Sequence, residues 1–235
     1  MATRLYLRDA AYWTDVGGTL PVPKQSNLSV NADVVWPDFA TLRQMSPTIG
    51  AGQVTASATS LAQTTQQGLL VRGFASRPLA AGSTVGLGSV RWNLAALEAN
   101  AAANWNANSV GLYVWRPSTG LVVGFMNPSA AGIEPGTSEG AIDSSQDLTS
   151  VAVSALAGDI ICAEFLANAT QSMAAAYNLS FFYDGTVETL TTGTAVSDHA
   201  SFLELPENLT FTTPPAATGA EPVIINQAPM RASTY

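Results

Sequence analysis

Short runs in which apolar and polar residues alternate, separated by turn residues, dominate the chain from about residue 53 onward. A period of two places alternate side chains on opposite faces of a strand, so this pattern predicts half-buried β-strands and not helices. Segments 53–60 and 68–75 read as two such strands, the second closed by Arg77-Pro78. Segment 84–94 alternates Val85, Leu87, Ser89 and Arg91 with Gly86, Gly88, Val90 and Trp92, and residues 95–104 follow as a short helical turn or irregular loop.

The clearest local signal is SVGLYVWRPSTGLVVGFMN. Val110, Leu112 and Val114 share one face, Tyr113 and Trp115 the other, and Pro117-Ser-Thr-Gly120 reverses the chain into a second strand over 121–125. A polar, glycine-rich loop spans 129–149, followed by strands over 150–153, 160–166 and 179–183, the last ended by Asp184-Gly185 as a turn. Residues 186–192 offer an edge strand, and 202–205 and 209–211 complete about ten strands at the spacing of a sandwich. The predicted fold is therefore all-β, an antiparallel, jelly-roll-like β-sandwich over 51–212 with extended N- and C-terminal arms.

The first fifty residues break this pattern, because Pro21, Pro23, Pro37, Pro47 and Gly17-Gly18 punctuate them. They still carry Leu5, Tyr6, Leu7, Tyr12, Trp13, Val34, Val35 and Trp36, more aromatic and apolar residues than a disordered linker uses. Residues 1–50 thus read as an arm that docks on a partner through Leu5, Tyr6, Leu7, Tyr12, Trp13 and Trp36. The tail, 213–235, carries Val223-Ile224-Ile225, which could add a strand to a neighbouring sheet edge.

Composition narrows the functions. Of 235 residues only 11% are charged, and nine Lys plus Arg against seventeen Asp plus Glu leave a net charge of -8, which opposes binding to nucleic acid. One cysteine cannot form an internal disulfide and one histidine cannot build a histidine metal cluster. No run resembles a signal peptide or a spanning helix, so membrane insertion is not expected, and without a phosphate-cradling glycine loop or metal-binding motif no cofactor is expected either.

Candidate chemistry is sparse. His199 sits among Ser197, Asp198 and Ser201, but such neighbours are common in loops, and a loop histidine is the reading adopted. Glu134 and Glu139 could form a glycosidase-like carboxylate pair, and with Asp143 and Asp147 they concentrate oxygen ligands for calcium. Their spacing misses the EF-hand pattern, and a solvated acidic loop without metal is expected. Cys162, within an apolar run, reads as a buried inert thiol. The Asn-x-Ser/Thr sites at Asn27, Asn168, Asn178 and Asn208 read as chance matches. Trp92, Trp105, Tyr113 and Trp115 could be core or could stack on sugar rings; Trp105, Tyr113 and Trp115 form the candidate glycan platform, with Trp105 the most exposed.

The opening MATRLYLRDA with its following Gly-Gly-Thr-Leu-Pro, the VGLYVWRPSTGLVVGF hairpin and the FFYDGT segment together resemble small structural proteins of tailed bacteriophages. The resemblance covers roughly residues 1–20 and 85–190. It implies a non-enzymatic virion component assembled in the host cytoplasm: a tail or neck fibre at the head–tail interface, or a capsid decoration. Its partners would be portal, adaptor, tail or capsid proteins; the rival reading, from the aromatic platform and not from the resemblance, is a carbohydrate-binding adhesin module that recognises a host surface glycan. The resemblance also implies a homotrimer, since no heptad repeat specifies one.

Overall fold

The computed structural model describes residues 2–13, 16, 42–59, 67–85, 89–126, 133–147, 153–169 and 175–213. They form an all-β fold. In chain order the strands are β1 (Thr3–Ala11), β2 (Arg43–Ser46), β3 (Val54–Thr59), β4 (Gln67–Ser76), β5 (Thr84–Val85), β6 (Ser89–Glu98) and β7 (Trp105–Arg116). They continue with β8 (Leu121–Met126), β9 (Gly140–Asp147), β10 (Val153–Ser154), β11 (Ile160–Ala169), β12 (Asn178–Tyr183) and β13 (Phe202–Leu205).

Eleven strands form one sheet in the order β3-β12-β6-β13-β1-β2-β4-β11-β7-β8, with β9 added to β6; β5 and β10 pair separately. Strand β6 is the branch point. It pairs with β13 over Arg91–Asn93 and with β12 over Ala95–Glu98, while β9 runs along its other side. The sheet folds back on itself there, as the aromatic contacts show: Phe165 of β11 stacks on Phe181 of β12 at 5.1 Å, and Phe74 of β4 meets Tyr183 at 5.2 Å, although many strands separate them along the ladder. Between the two layers lie Leu5, Leu7, Trp92, Leu94, Leu112, Val114, Ile161 and Leu203, all buried, which is the sandwich core that alternation predicts.

The β7–β8 hairpin forms as its sequence predicts. Leu112 and Val114 enter the main core, Tyr113 and Trp115 face the opposite way, and Gly120 takes the left-handed conformation (φ 67°) that lets the chain turn back. Sandwich ladders are antiparallel except for β2–β4, which is parallel. That exception follows from connectivity, because after β2 the chain crosses to the other layer as β3 and re-enters the first layer as β4.

The expected N-terminal arm needs correction. Thr3–Ala11 is a strand held between β13 and β2, and Leu5 and Leu7 are fully buried. Its period-two pattern, with Leu5 and Leu7 inward and Arg4, Tyr6 and Arg8 outward, is a strand signature that the downstream prolines obscure. Tyr12 and Leu42 are buried on the outer face of β4, β11 and β7, in a second apolar cluster with Ala75, Tyr113, Trp115, Ile160 and Cys162. Trp13 packs at its margin under the Arg77 guanidinium, 4.9 Å from the ring centre. Trp36 lies outside the described residues, as does Val223-Ile224-Ile225.

Other boundaries also shift. Residues 95–98 continue β6 and do not form a helical turn, because Leu94 and Ala96 both point into the core. Much of the expected polar loop is β9, whose ladder with β6 runs from Ser89↔Asp147 to Ala96↔Gly140. Residues 186–192 do not form an edge strand; Val187 makes only an isolated bridge to His199. Asp184 does adopt the left-handed backbone of a turn (φ 64°), but the chain beyond it packs over the outer face of β6 and does not return as a hairpin.

Candidate functional site

Polar side chains collect on the outer face of β9, β6, β13 and β1. The register places Arg4 opposite Glu204 and Glu204 opposite Arg91, so outward positions of three neighbouring strands alternate in charge. Arg91 extends this row by a two-toothed contact to Asp143 on β9, at 2.9 and 2.7 Å. Arg4 donates to Glu204 through Nε and Nη2, at 2.9 and 2.5 Å, and to Glu188 through Nη1 at 2.7 Å. Its guanidinium lies 4.3 Å from the Phe202 ring centre, and Tyr6 donates its hydroxyl to the other oxygen of Glu188. Glu188 belongs to the segment after β12 that folds over this face.

Charge and burial set the protonation states. Burial opposes ionisation of Asp143, but the Arg91 and Asn93 donors outweigh it and hold the carboxyl below its ordinary value. The same contact to Asp143 raises Arg91. Tyr6 is raised by burial and by the Glu188 carboxylate, so its phenol stays a donor. Within the 184–201 segment, His199 is wholly buried, with Nε2 2.6 Å from Asn93 Oδ1, and burial pushes its pKa down to about 4.

Ser, His and Asp do not converge here. Ser201 Oγ donates to the Phe182 carbonyl, and Asp198 accepts from Gln53 N and Thr186 Oγ1, so neither is aligned with the imidazole. His199 lies in the connection between β12 and β13, and that loop position is buried. Cys162 is buried, and its thiol is raised well above its ordinary value by burial.

The candidate glycan platform is also corrected. Trp105 is 0%, Tyr113 1% and Trp115 3% exposed. Trp105 packs in the main core and the other two in the second cluster, so none offers a ring face to a sugar. The polar Asn104 and Asn106 beside Trp105 make it look exposed, yet Asn104 adopts a left-handed backbone (φ 47°) that turns the chain into β7 with the indole inward.

The acidic residues disperse. Asp143 is held by Arg91, and Glu139 accepts from Gln53 Nε2 at 3.2 Å. Glu134 lies beside Glu98, whose carboxyl is raised chiefly by burial and further by that neighbour. Among the described residues no three His, Cys, Asp or Glu side chains are grouped to hold a metal. The row Arg4, Glu204, Arg91 and Asp143 was missed in the sequence because its members are scattered over two hundred residues; only outward positions in β1, β6 and β13 could have pointed to it.

No family model matches the chain, and no curated protein does. Among solved structures, two crystal structures of a CocE/NonD family hydrolase from Staphylococcus aureus overlap 69% of this chain and 32% of theirs at 9% identity, with TM-scores of 0.21 and 0.23. The chain thus spans about a third of that hydrolase, and overlap of this quality carries no argument about fold or activity.

Proposed function

We propose that the chain is a non-enzymatic structural protein of a tailed-phage particle, a tail or neck fibre or appendage that assembles as a homotrimer. The observation that supports it is how the chain departs from the sandwich and rejoins it. Residues 12 and 42 lie side by side on the outer face, with Tyr12 N donating to the Leu42 carbonyl at 3.2 Å, and both side chains are buried. Segment 14–41, with its prolines and Trp36, is therefore inserted between two tied ends of a rigid base. Attachment to the particle is assigned to this segment, because Leu5 and Leu7 are consumed by the core and Tyr12 by the outer cluster.

The test follows from the tied ends. Replacing residues 14–41 with a short Gly-Ser turn leaves β1 and β2 intact, whereas deletion from the N-terminus would remove β1 from the middle of the sheet. The shortened protein should retain its melting midpoint and fail to enter particles during infection. Normal incorporation, counted by quantitative mass spectrometry against the major capsid protein, would refute the assignment.

A further inference from the structure

Beside the alternating row on β1 and β13 lies an open groove of about 540 Å³, bordered by Arg4, Tyr6, Pro47, Glu204, Asn208 and Leu209. This volume is within the range of small-molecule sites, roughly 300 to 1,000 Å³. Its walls are fixed. Thr3 Oγ1 donates to the Glu207 carbonyl at 2.8 Å and accepts from Leu209 N at 2.8 Å, tying the 207–209 turn to β1. Arg4 is clamped between Phe202, Glu204 and Glu188.

Hydrogen-bonding capacity remains. Arg4 uses three of its five N–H donors in the contacts to Glu204 and Glu188, and both of its bonds to Glu204 go to the same oxygen, Oε2. Ion pairs at this exposure, with Arg4 at 29% and Glu204 at 24%, add only about 0 to 1 kcal/mol each to stability. Stability is thus a weak reason to concentrate alternating charges here in a chain that is only 11% charged.

We propose that this groove binds a neutral hexose-containing glycan. A guanidinium and a carboxylate held side by side present a donor and an acceptor at the spacing of adjacent sugar hydroxyls. Tyr6 and Pro47 supply apolar surface for the C–H face of the ring. Charge selects against acidic sugars, because Glu204 at the groove and Glu188 behind it both neutralise Arg4, and the whole chain carries -8. The groove is open and shallow, so each site binds weakly and copies act together on a multivalent surface. This inference is independent of the attachment segment, which lies elsewhere in the chain.

Saturation-transfer NMR on the full chain, with lactose, maltose and cellobiose as probes and sialyllactose as the acidic control, tests it. Transfer is expected to at least one neutral disaccharide, with little to sialyllactose. Asn208→Ala, at an exposed rim position outside the ion-pair row, should weaken binding about tenfold with an unchanged melting midpoint, and Glu204→Gln should abolish it. The proposal is overturned by absence of transfer to all three neutral sugars, by equal transfer to sialyllactose, or by binding that survives both substitutions. Particle incorporation of Asn208→Ala should be normal, which separates failure here from failure of the attachment reading.

Discussion

His199 Nε2 donates to Asn93 Oδ1 across 2.6 Å, inside a site where both side chains are 0% exposed. The donor is fixed by the other end of the amide: Asn93 Nδ2 donates to the Thr189 carbonyl at 2.9 Å, so Oδ1 must face the imidazole. Nε2 therefore carries the proton, and Nδ1 has no hydrogen-bond partner among the described residues.

A pH dependence follows. Protonating Nδ1 would bury a charge, so burial lowers the folded pKa to about 4 from the ordinary 6.5. The unfolded chain binds the extra proton first. His199 thus contributes stability that is complete above pH 6.5 and lost progressively as pH falls towards 4, amounting to about 3 kcal/mol. The buried carboxyl of Glu98 is raised and works in the opposite direction, so the difference between the native protein and His199→Gln isolates the histidine. Urea unfolding at steps between pH 7 and pH 4.5 should show this difference shrinking; a constant difference would refute it.

Leu5 and Tyr6 are adjacent in sequence and opposite in environment. Leu5→Ala should cost about 2 to 5 kcal/mol, since it opens a cavity in the sandwich core. Tyr6→Phe removes only the hydroxyl contact to Glu188 at a half-buried position and should cost about 1 kcal/mol. Equal costs in chemical denaturation would argue that β1 is peripheral.

Two glycines separate crowding from backbone conformation. A Cβ on Gly50 would lie 1.9 Å from the Asp184 carbonyl oxygen and 2.4 Å from that of Gly185, both backbone atoms that cannot swing away. Gly50→Ala should therefore destabilise by about 3 kcal/mol. Gly82 has open space around it, and its left-handed backbone (φ 83°) limits the cost of Gly82→Ala to about 1 kcal/mol. Thermal melts of the two variants should rank in that order.

Cys162 should resist alkylation by iodoacetamide in the native state and react fully in denaturant. Its thiol is buried between the flanking strands β4 and β7, and burial disfavours the thiolate that reacts. Native labelling at the denatured rate would show that the outer cluster opens.

Local patterning made much of the fold legible in the sequence. The 105–126 hairpin declares itself by alternation, and the strands expected over 160–166 and 179–183 by short apolar runs, each with Pro, Gly or Asp at an end, because such patterns and turn geometry are properties of neighbouring residues. The all-β class and the buried Cys162 follow from the same signals. Long-range pairing is different. β1 became a central strand only because β13, about two hundred residues later, and β2 close over both its edges, and without those partners Leu5 and Leu7 read equally well as the anchors of an arm. Trp105, Tyr113 and Trp115 show the same limit, since alternation assigns residues to faces but not which face a second layer or a returning segment will cover. The row of Arg4, Glu204, Arg91 and Asp143, and the groove beside it, exists only where four strands distant in sequence come into register. Local pattern determined the β7–β8 hairpin, β11 and β12, and tertiary closure decided that β1 and β9 join the sheet and which side chains became core and which became surface.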